Sequence, residues 1–155
     1  MTNEETRRPA GVLIRLSMPS DLDVLFPIYC EVMRDYATRA TGAWDEDEQR
    51  RQYYAGFPVG RAQVILVGYD IAGAIDCEHH GDRWTVNNIE IAPEWQNHGI
   101  GTWLLRRLLR QARGEGIPVD LEVLKVNPAR RLYERLGFAV TGETDTHWQM
   151  RATSD

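Results

Sequence analysis

Cysteine is scarce in this chain, and what little there is carries no pattern. Cys30 and Cys77 are the two cysteines among 155 residues, too few for a disulfide framework and without metal-ligand spacing. Two reduced thiols in a cytoplasmic protein are therefore expected. Long apolar runs are also lacking: no stretch approaches the length of a membrane span, and the opening MTNEETRRPAG has no apolar segment of the signal-peptide kind. Excess positive charge is absent too, since 18 Lys and Arg against 23 Asp and Glu leave −5. That balance argues against a nucleic-acid partner, which would favour a basic surface. The local basic stripe Arg106, Arg107, Arg110 and Arg113 has the spacing of a solvated helix face. There is no internal repeat and no low-complexity segment. Adjacent His79 and His80 point to opposite sides of a strand and cannot readily share a metal, so none is expected.

What is present is the composition of one globular domain, 43% hydrophobic and 26% charged, with residues 1–10 as a polar tail. Val12–Leu16 reads as a strand. Ser20 is a candidate N-cap for a helix of about four turns, with Leu22, Leu25, Phe26, Tyr29, Val32, Met33 and Tyr36 at helical spacing and Gly42 as its stop. A more polar helix covers Glu46–Ala55. Three strands are then expected at Gln63–Tyr69, Gly73–Glu78 and Trp84–Ile91, with turns at Asp70–Gly73 and Gly81-Asp82. An amphipathic helix follows, its apolar side Leu104, Leu105, Leu108, Leu109 and Ala112. Val119–Val126 is a strand, Pro128–Leu136 a short helix ended by Gly137, and Phe138–Gly142 and His147–Arg151 a final strand pair. The order predicts an α/β fold, a mixed central sheet of about seven strands flanked by about four helices.

The chemistry sits where the strand Trp84–Ile91 gives way to the amphipathic helix. The segment Gln96-Asn97-His98-Gly99-Ile100-Gly101-Thr102 opens directly onto a helix. Helix starts leave about four N–H groups unpaired at the positive end of the macrodipole. Two glycines one residue apart let an anion approach those donors, which predicts a phosphate or pyrophosphate site. A Walker A loop is excluded because no Gly-Lys-Ser/Thr is present. A dinucleotide fingerprint is excluded because Leu104 stands where its third glycine belongs. The remaining pattern, Gln/Arg-x-x-Gly-x-Gly/Ala, is met by Gln96, Gly99 and Gly101. It resembles the acetyl-CoA pyrophosphate loop of the GNAT N-acetyltransferases. A second segment resembles the other signature of that family: a strand ending near an Asn, then a short helix with Ala-x-x-Leu-Tyr-Glu-x-x-Gly-Phe. Ala129, Leu132, Tyr133, Glu134, Gly137 and Phe138 match it in register. Asn127 departs from it, standing two residues before the Ala where the family has three.

The resemblance implies a GNAT fold over nearly the whole chain, read as a single domain over 1–155, and acetyl-CoA as cosubstrate. It also implies a split between two parallel strands that takes the pantetheine arm. In that reading Ile91 and Ala92 contact the cofactor through their backbone. Gln96, Asn97, His98, Gly99, Ile100, Gly101 and Thr102 wrap the pyrophosphate, and Asn127 and Arg130 complete the cofactor set. Tyr133 is the candidate general acid, because a phenol stays protonated at neutral pH and can serve the departing thiolate. Glu90 is the candidate base, placed on the face of its strand opposite Ile89 and Ile91, and an exposed polar residue on that face is the plainer alternative. Asn88 lies on the same face as Glu90. Trp44 is a candidate acceptor contact, with a satellite-core tryptophan as the alternative. Glu122 is read as structural.

The expected reaction is direct transfer of an acetyl group to an amine of a small molecule or peptide, since no acyl-enzyme nucleophile is evident. The alternative is a catalytically weak acyl-CoA-binding regulatory module on the same fold. No membrane association is expected, and the assembly is a monomer or homodimer. The fold does not name the amine.

Overall fold

A computed structural model of the protein describes residues 7–154; residues 1–6 of the expected tail lie outside the described residues. Seven strands and four helices follow one another along the chain, β1 (Val12–Leu16), α1 (Leu22–Thr41), α2 (Glu46–Gly56), β2 (Gln63–Val67), β3 (Asp70–His79), β4 (Trp84–Ile91), α3 (Ile100–Glu115), β5 (Val119–Leu124), α4 (Arg130–Arg135), β6 (Ala139–Glu143) and β7 (His147–Ala152). The strands form a mixed sheet in the order β1-β2-β3-β4-β5-β7-β6. Among the described residues, no helix is long and apolar enough to cross a membrane.

The chain divides into two compact units. The first holds Ala10–Asp76 with Asn88–Asn97; the second holds Cys77–Asn87 with residues 98–154. In the first, β1 pairs antiparallel with β2 from Val12↔Val67 to Leu16↔Gln63, and β2 pairs antiparallel with β3. Leu25 of α1, Val64 of β2 and Ala74 of β3 form a buried cluster, against which Tyr53, Phe57, Leu66 and Ile71 pack. In the second, β4 pairs parallel with β5 from Trp84↔Val119 to Val86↔Leu121. β7 pairs antiparallel with both β5 and β6. The amphipathic α3 buries Trp103, Leu104, Leu105, Leu108 and Ala112, as its 3.6-residue period requires.

Two local expectations need correction. Ser20 is not the N-cap of α1: it lies inside a short 3-10 turn, Pro19–Asp21, and Asp21 takes the cap position. The reason is electrostatic. The buried Asp21 carboxylate accepts from the Met18 N–H at 2.7 Å and from both terminal nitrogens of Arg15 at 2.8 Å. This doubly held anion fixes the turn before the helix can begin. The turn expected at Asp70–Gly73 instead falls at Gly68-Tyr69, and β3 starts at Asp70, paired with Val67. Gly73 is needed for a different reason. A Cβ there would overlap the carbonyl oxygen of Glu90, so only glycine lets β3 lie this close to the carboxylate-bearing end of β4.

Candidate active site

The turn into α3 leaves the helix start without a side-chain cap. Asn97 takes a left-handed conformation at φ 63°, which asparagine tolerates better than most residues. Gly99 follows at φ 80° as the N-cap of α3, with no side chain capping the helix. A Cβ on Gly99 would meet nothing within 4 Å; its backbone conformation calls for glycine, and the space beside it is open. Trp103 N–H bonds back to the Gly99 carbonyl at 3.0 Å, so the helix is under way by its fourth residue. The N–H groups of Ile100, Gly101 and Thr102 are the leading ones, and these residues fit a diphosphate group. Gln96 does not reach outward: its side-chain amide donates to the Ile91 carbonyl at 3.0 Å, clasping the end of β4 to the turn. Ala92 is similarly engaged, its N–H on Ala72 O at 2.7 Å and its carbonyl accepting from Trp95 N–H at 2.8 Å.

Tyr133 belongs to the same unit as that helix start. It lies in α4, 8% exposed, with its ring edge-on to Phe138 at 5.9 Å. Burial pushes its phenol above the usual range, so it stays protonated at neutral pH. No described residue hydrogen-bonds to its hydroxyl. α4 starts where it does because Asn127 Oδ1 accepts from the Ala129 N–H at 2.9 Å, a local cap that spends the Asn carbonyl on the backbone.

The first unit holds a carboxylate where none is comfortable. Glu90 is 1% exposed, which replaces the picture of a polar residue on an open sheet face. Its Oε1 accepts from the Tyr53 hydroxyl at 2.7 Å, while Oε2 is buried and makes no hydrogen bond. Burial drives its pKa up from 4.5 to about 7, and the Tyr53 phenol and Asn88 amide pull it partly back. Aromatic rings surround this corner: Tyr29 and Tyr53 stand 4.9 Å apart, Tyr53 and Phe26 5.5 Å, and Tyr53 and Phe57 5.4 Å. Trp44 joins the set, 6.0 Å from Tyr29 with Arg34 over its ring at 5.9 Å, and its indole N–H is buried without a partner.

A family model described as the acetyltransferase (GNAT) family matches residues 28–138. The chain belongs to this GNAT family. Among curated relatives, the [ribosomal protein bS18]-alanine N-acetyltransferase of Haemophilus influenzae is 41% identical over 75 residues, covering 48% of this chain and 51% of that protein. Streptothricin acetyltransferase of Streptomyces lavendulae is 36% identical over 114 residues, covering 72% of this chain and 57% of that protein. The chain thus spans little more than half the length of these two relatives. Among solved structures, the PaiA N-acetyltransferase of Thermoplasma acidophilum, crystallised with coenzyme A, superposes with a TM-score of 0.71 at 17% identity. That match covers 92% of this chain and 98% of the other, and it shows the shared GNAT fold.

Other residues expected at the GNAT site are placed as follows. Arg130 is ion-paired with Glu134 at 2.6 Å and lies over the Trp148 ring at 4.5 Å, with Lys125 over the same ring at 4.7 Å. His98 and Asn97 are exposed on the turn, and Asn88 is half-buried beside Glu90. Sequence reasoning missed Tyr53 and Tyr29, because neither lies in a family signature and α2 has no buried residue to mark it. Glu122, read as structural, lines a cavity of about 630 Å³ in the second unit, with Thr85, Asn87, Asp120, Gln149 and Arg151. Asp120 there is held by Arg151 at 2.6 and 2.9 Å. Glu122 has only a long 3.4 Å contact from Gln149.

Proposed function

We propose that this chain is an N-acetyltransferase that moves an acetyl group from acetyl-CoA to an amine by direct attack. The observation that carries the reading is the uncapped start of α3 behind a left-handed Gly99 with open space beside it. Such a helix start offers convergent N–H donors and a positive dipole end to a diphosphate. In this reading Ile100, Gly101 and Thr102 bind the pyrophosphate through their N–H groups. Gln96 serves the site indirectly, by fixing the turn to Ile91. Ala92, its N–H and carbonyl engaged in the fold, supports the strand end, and Asn127 supports the start of α4. Arg130 lies with Lys125 on Trp148, a cationic cluster suited to the cofactor's phosphates.

Glu90 takes the proton. A free alkyl amine arrives protonated at neutral pH, and a base near pKa 7 is matched to receive that proton without being fully neutralised. The amine nitrogen then bonds to the thioester carbonyl carbon, the carbon–sulfur bond breaks and the departing thiolate takes the Tyr133 proton; the proton that the nitrogen sheds as the amide forms returns through solvent to the Tyr133 phenolate. The products are an acetylated amine and free CoA. No cysteine is called on as an acyl carrier: Cys30 is buried, with its thiol pushed up mainly by burial.

The names of the relatives, which give a ribosomal-protein alanine and streptothricin as what those proteins acetylate, make primary amines the class to try first. Calorimetry with CoA tests the cofactor half. A panel of peptide N-termini, amino acids and aminoglycosides with acetyl-CoA, read by thiol release, tests transfer. Absence of CoA affinity in folded protein would overturn the proposal.

A further inference from the structure

Glu90 has two oxygens in different states, and that asymmetry has a cause. Oε1 is taken by the Tyr53 hydroxyl at 2.7 Å; Oε2 is buried and unfilled. Tyr53 comes from α2, 37 residues away in sequence. Its ring is fixed by Phe26, Tyr29 and Phe57 at centroid distances of 5.5, 4.9 and 5.4 Å. Rings on three sides hold the phenol in place, and its O–H donates to Glu90.

We infer that Tyr53 is the positioning residue for Glu90: its hydroxyl occupies Oε1 and fixes the orientation of the carboxylate, leaving Oε2 as the oxygen without a hydrogen-bond donor. This deepens the reading of Glu90 as base and rests on it. The groups that face the carboxylate are few. Tyr53 reaches it from α2, Tyr29 from α1 and Asn88 from its own strand, while β3 brings Gly73, which has no side chain. Tyr29 does not donate to Glu90, because its hydroxyl goes to Gln49 Oε1 at 3.0 Å. The division of labour is therefore specific: one tyrosine holds the carboxylate, the other supports the ring that does so. An unfilled buried acceptor is costly, which adds to the pressure on Glu90 to hold a proton.

The test does not depend on knowing the acceptor. Carboxyl-¹³C glutamate is incorporated into the full chain, and the Glu90 resonance is assigned by its loss in Glu90→Gln. Its titration is then followed in wild type, Tyr53→Phe and Tyr29→Phe. Removing a hydrogen bond to an ionised carboxylate disfavours the charged form, so the midpoint in Tyr53→Phe rises by about one pH unit, while Tyr29→Phe leaves it nearly in place. An unchanged or lowered midpoint in folded Tyr53→Phe overturns the inference. Should that variant fail to fold, the Tyr53 ¹³Cζ resonance of wild type is the second measurement. It must move with the Glu90 midpoint, and a Cζ signal indifferent to that titration is equally fatal. Once an acceptor is known, the acid limb of kcat/KM in Tyr53→Phe shifts upward by the same amount, with KM for acetyl-CoA unchanged. Loss of CoA binding by calorimetry would refute the transferase reading while leaving the carboxylate titration intact, so the two failures are distinguishable.

Discussion

Replacing Glu90 with Gln should make the folded protein less sensitive to rising pH, with a sign opposite to that of an ordinary salt-bridged carboxylate. Burial raises the folded pKa to about 7 from 4.5. Between those values the native state holds a proton that the unfolded chain has released, so stability falls as pH rises. The contribution is complete below about pH 4.5 and is lost as pH passes through about 7. One pH unit of separation corresponds to about 1.4 kcal/mol, which sets a ceiling of about 3 kcal/mol on this loss. Glu90→Gln removes the titration. Its amide adds a fixed cost of about 1–3 kcal/mol for a buried N–H without an acceptor, but that cost is the same at every pH. Urea unfolding of both proteins from pH 5 to 8 gives the difference in stability at each pH, in which other titrating groups cancel. The difference should move in favour of the variant by about 2–3 kcal/mol across that range. A difference curve that stays flat would show that Glu90 is ionised at pH 5 already, and the base assignment would lose its physical ground.

Tyr133→Phe should lower turnover by about 100-fold, the contribution of a positioned general acid, with acetyl-CoA affinity by calorimetry nearly unchanged. Gly99→Ala forces a side chain into the left-handed region at a cost of about 1–2 kcal/mol; CoA affinity should fall by about tenfold and the melting temperature by a few degrees. Gly73→Ala should be far more damaging, because its Cβ overlaps the Glu90 carbonyl; a chain that melts as wild type would contradict the close approach of β3 and β4. Glu122→Gln is expected to retain most turnover on the best acceptor, and a loss matching that of Glu90→Gln would transfer the role of base to the cavity beside β5. Leu105→Ala, fully buried in α3, should cost about 2–5 kcal/mol in denaturant unfolding.

Much of this protein is local enough to be read in one dimension. β1 and β4 begin and end at the residues their patterns predict, and the spacing of Leu104, Leu105, Leu108 and Ala112 marks the buried side of α3. Period-2 and period-3.6 patterns are set by near neighbours, and so is the chemistry of a glycine turn into a helix. The glycine turn from Gln96 to Thr102 and the short helix carrying Tyr133 were legible for the same reason. What short-range pattern could not supply is who meets whom. The strand expected to start at Gly73 begins at Asp70, because pairing with Val67 overrides the turn preference of Asp and Gly. The start of α1 depends on an ion pair with Arg15, six residues from Asp21.

Glu90 shows the limit most sharply. Alternation along β4 gave its face, and nothing in the sequence gave its depth. A carboxylate's proton affinity is set by water excluded from it and by donors brought to it. Both depend on α1 and α2 packing their aromatic rings against one corner, with Tyr53 arriving from 37 residues away. The sequence by itself determined the elements, the helix start that suits a diphosphate and the phenol on α4. Only tertiary structure decided that one glutamate would be stripped of solvent, hold a proton near neutrality and keep one oxygen without a partner, because desolvation is a property of the folded surroundings and of no single residue.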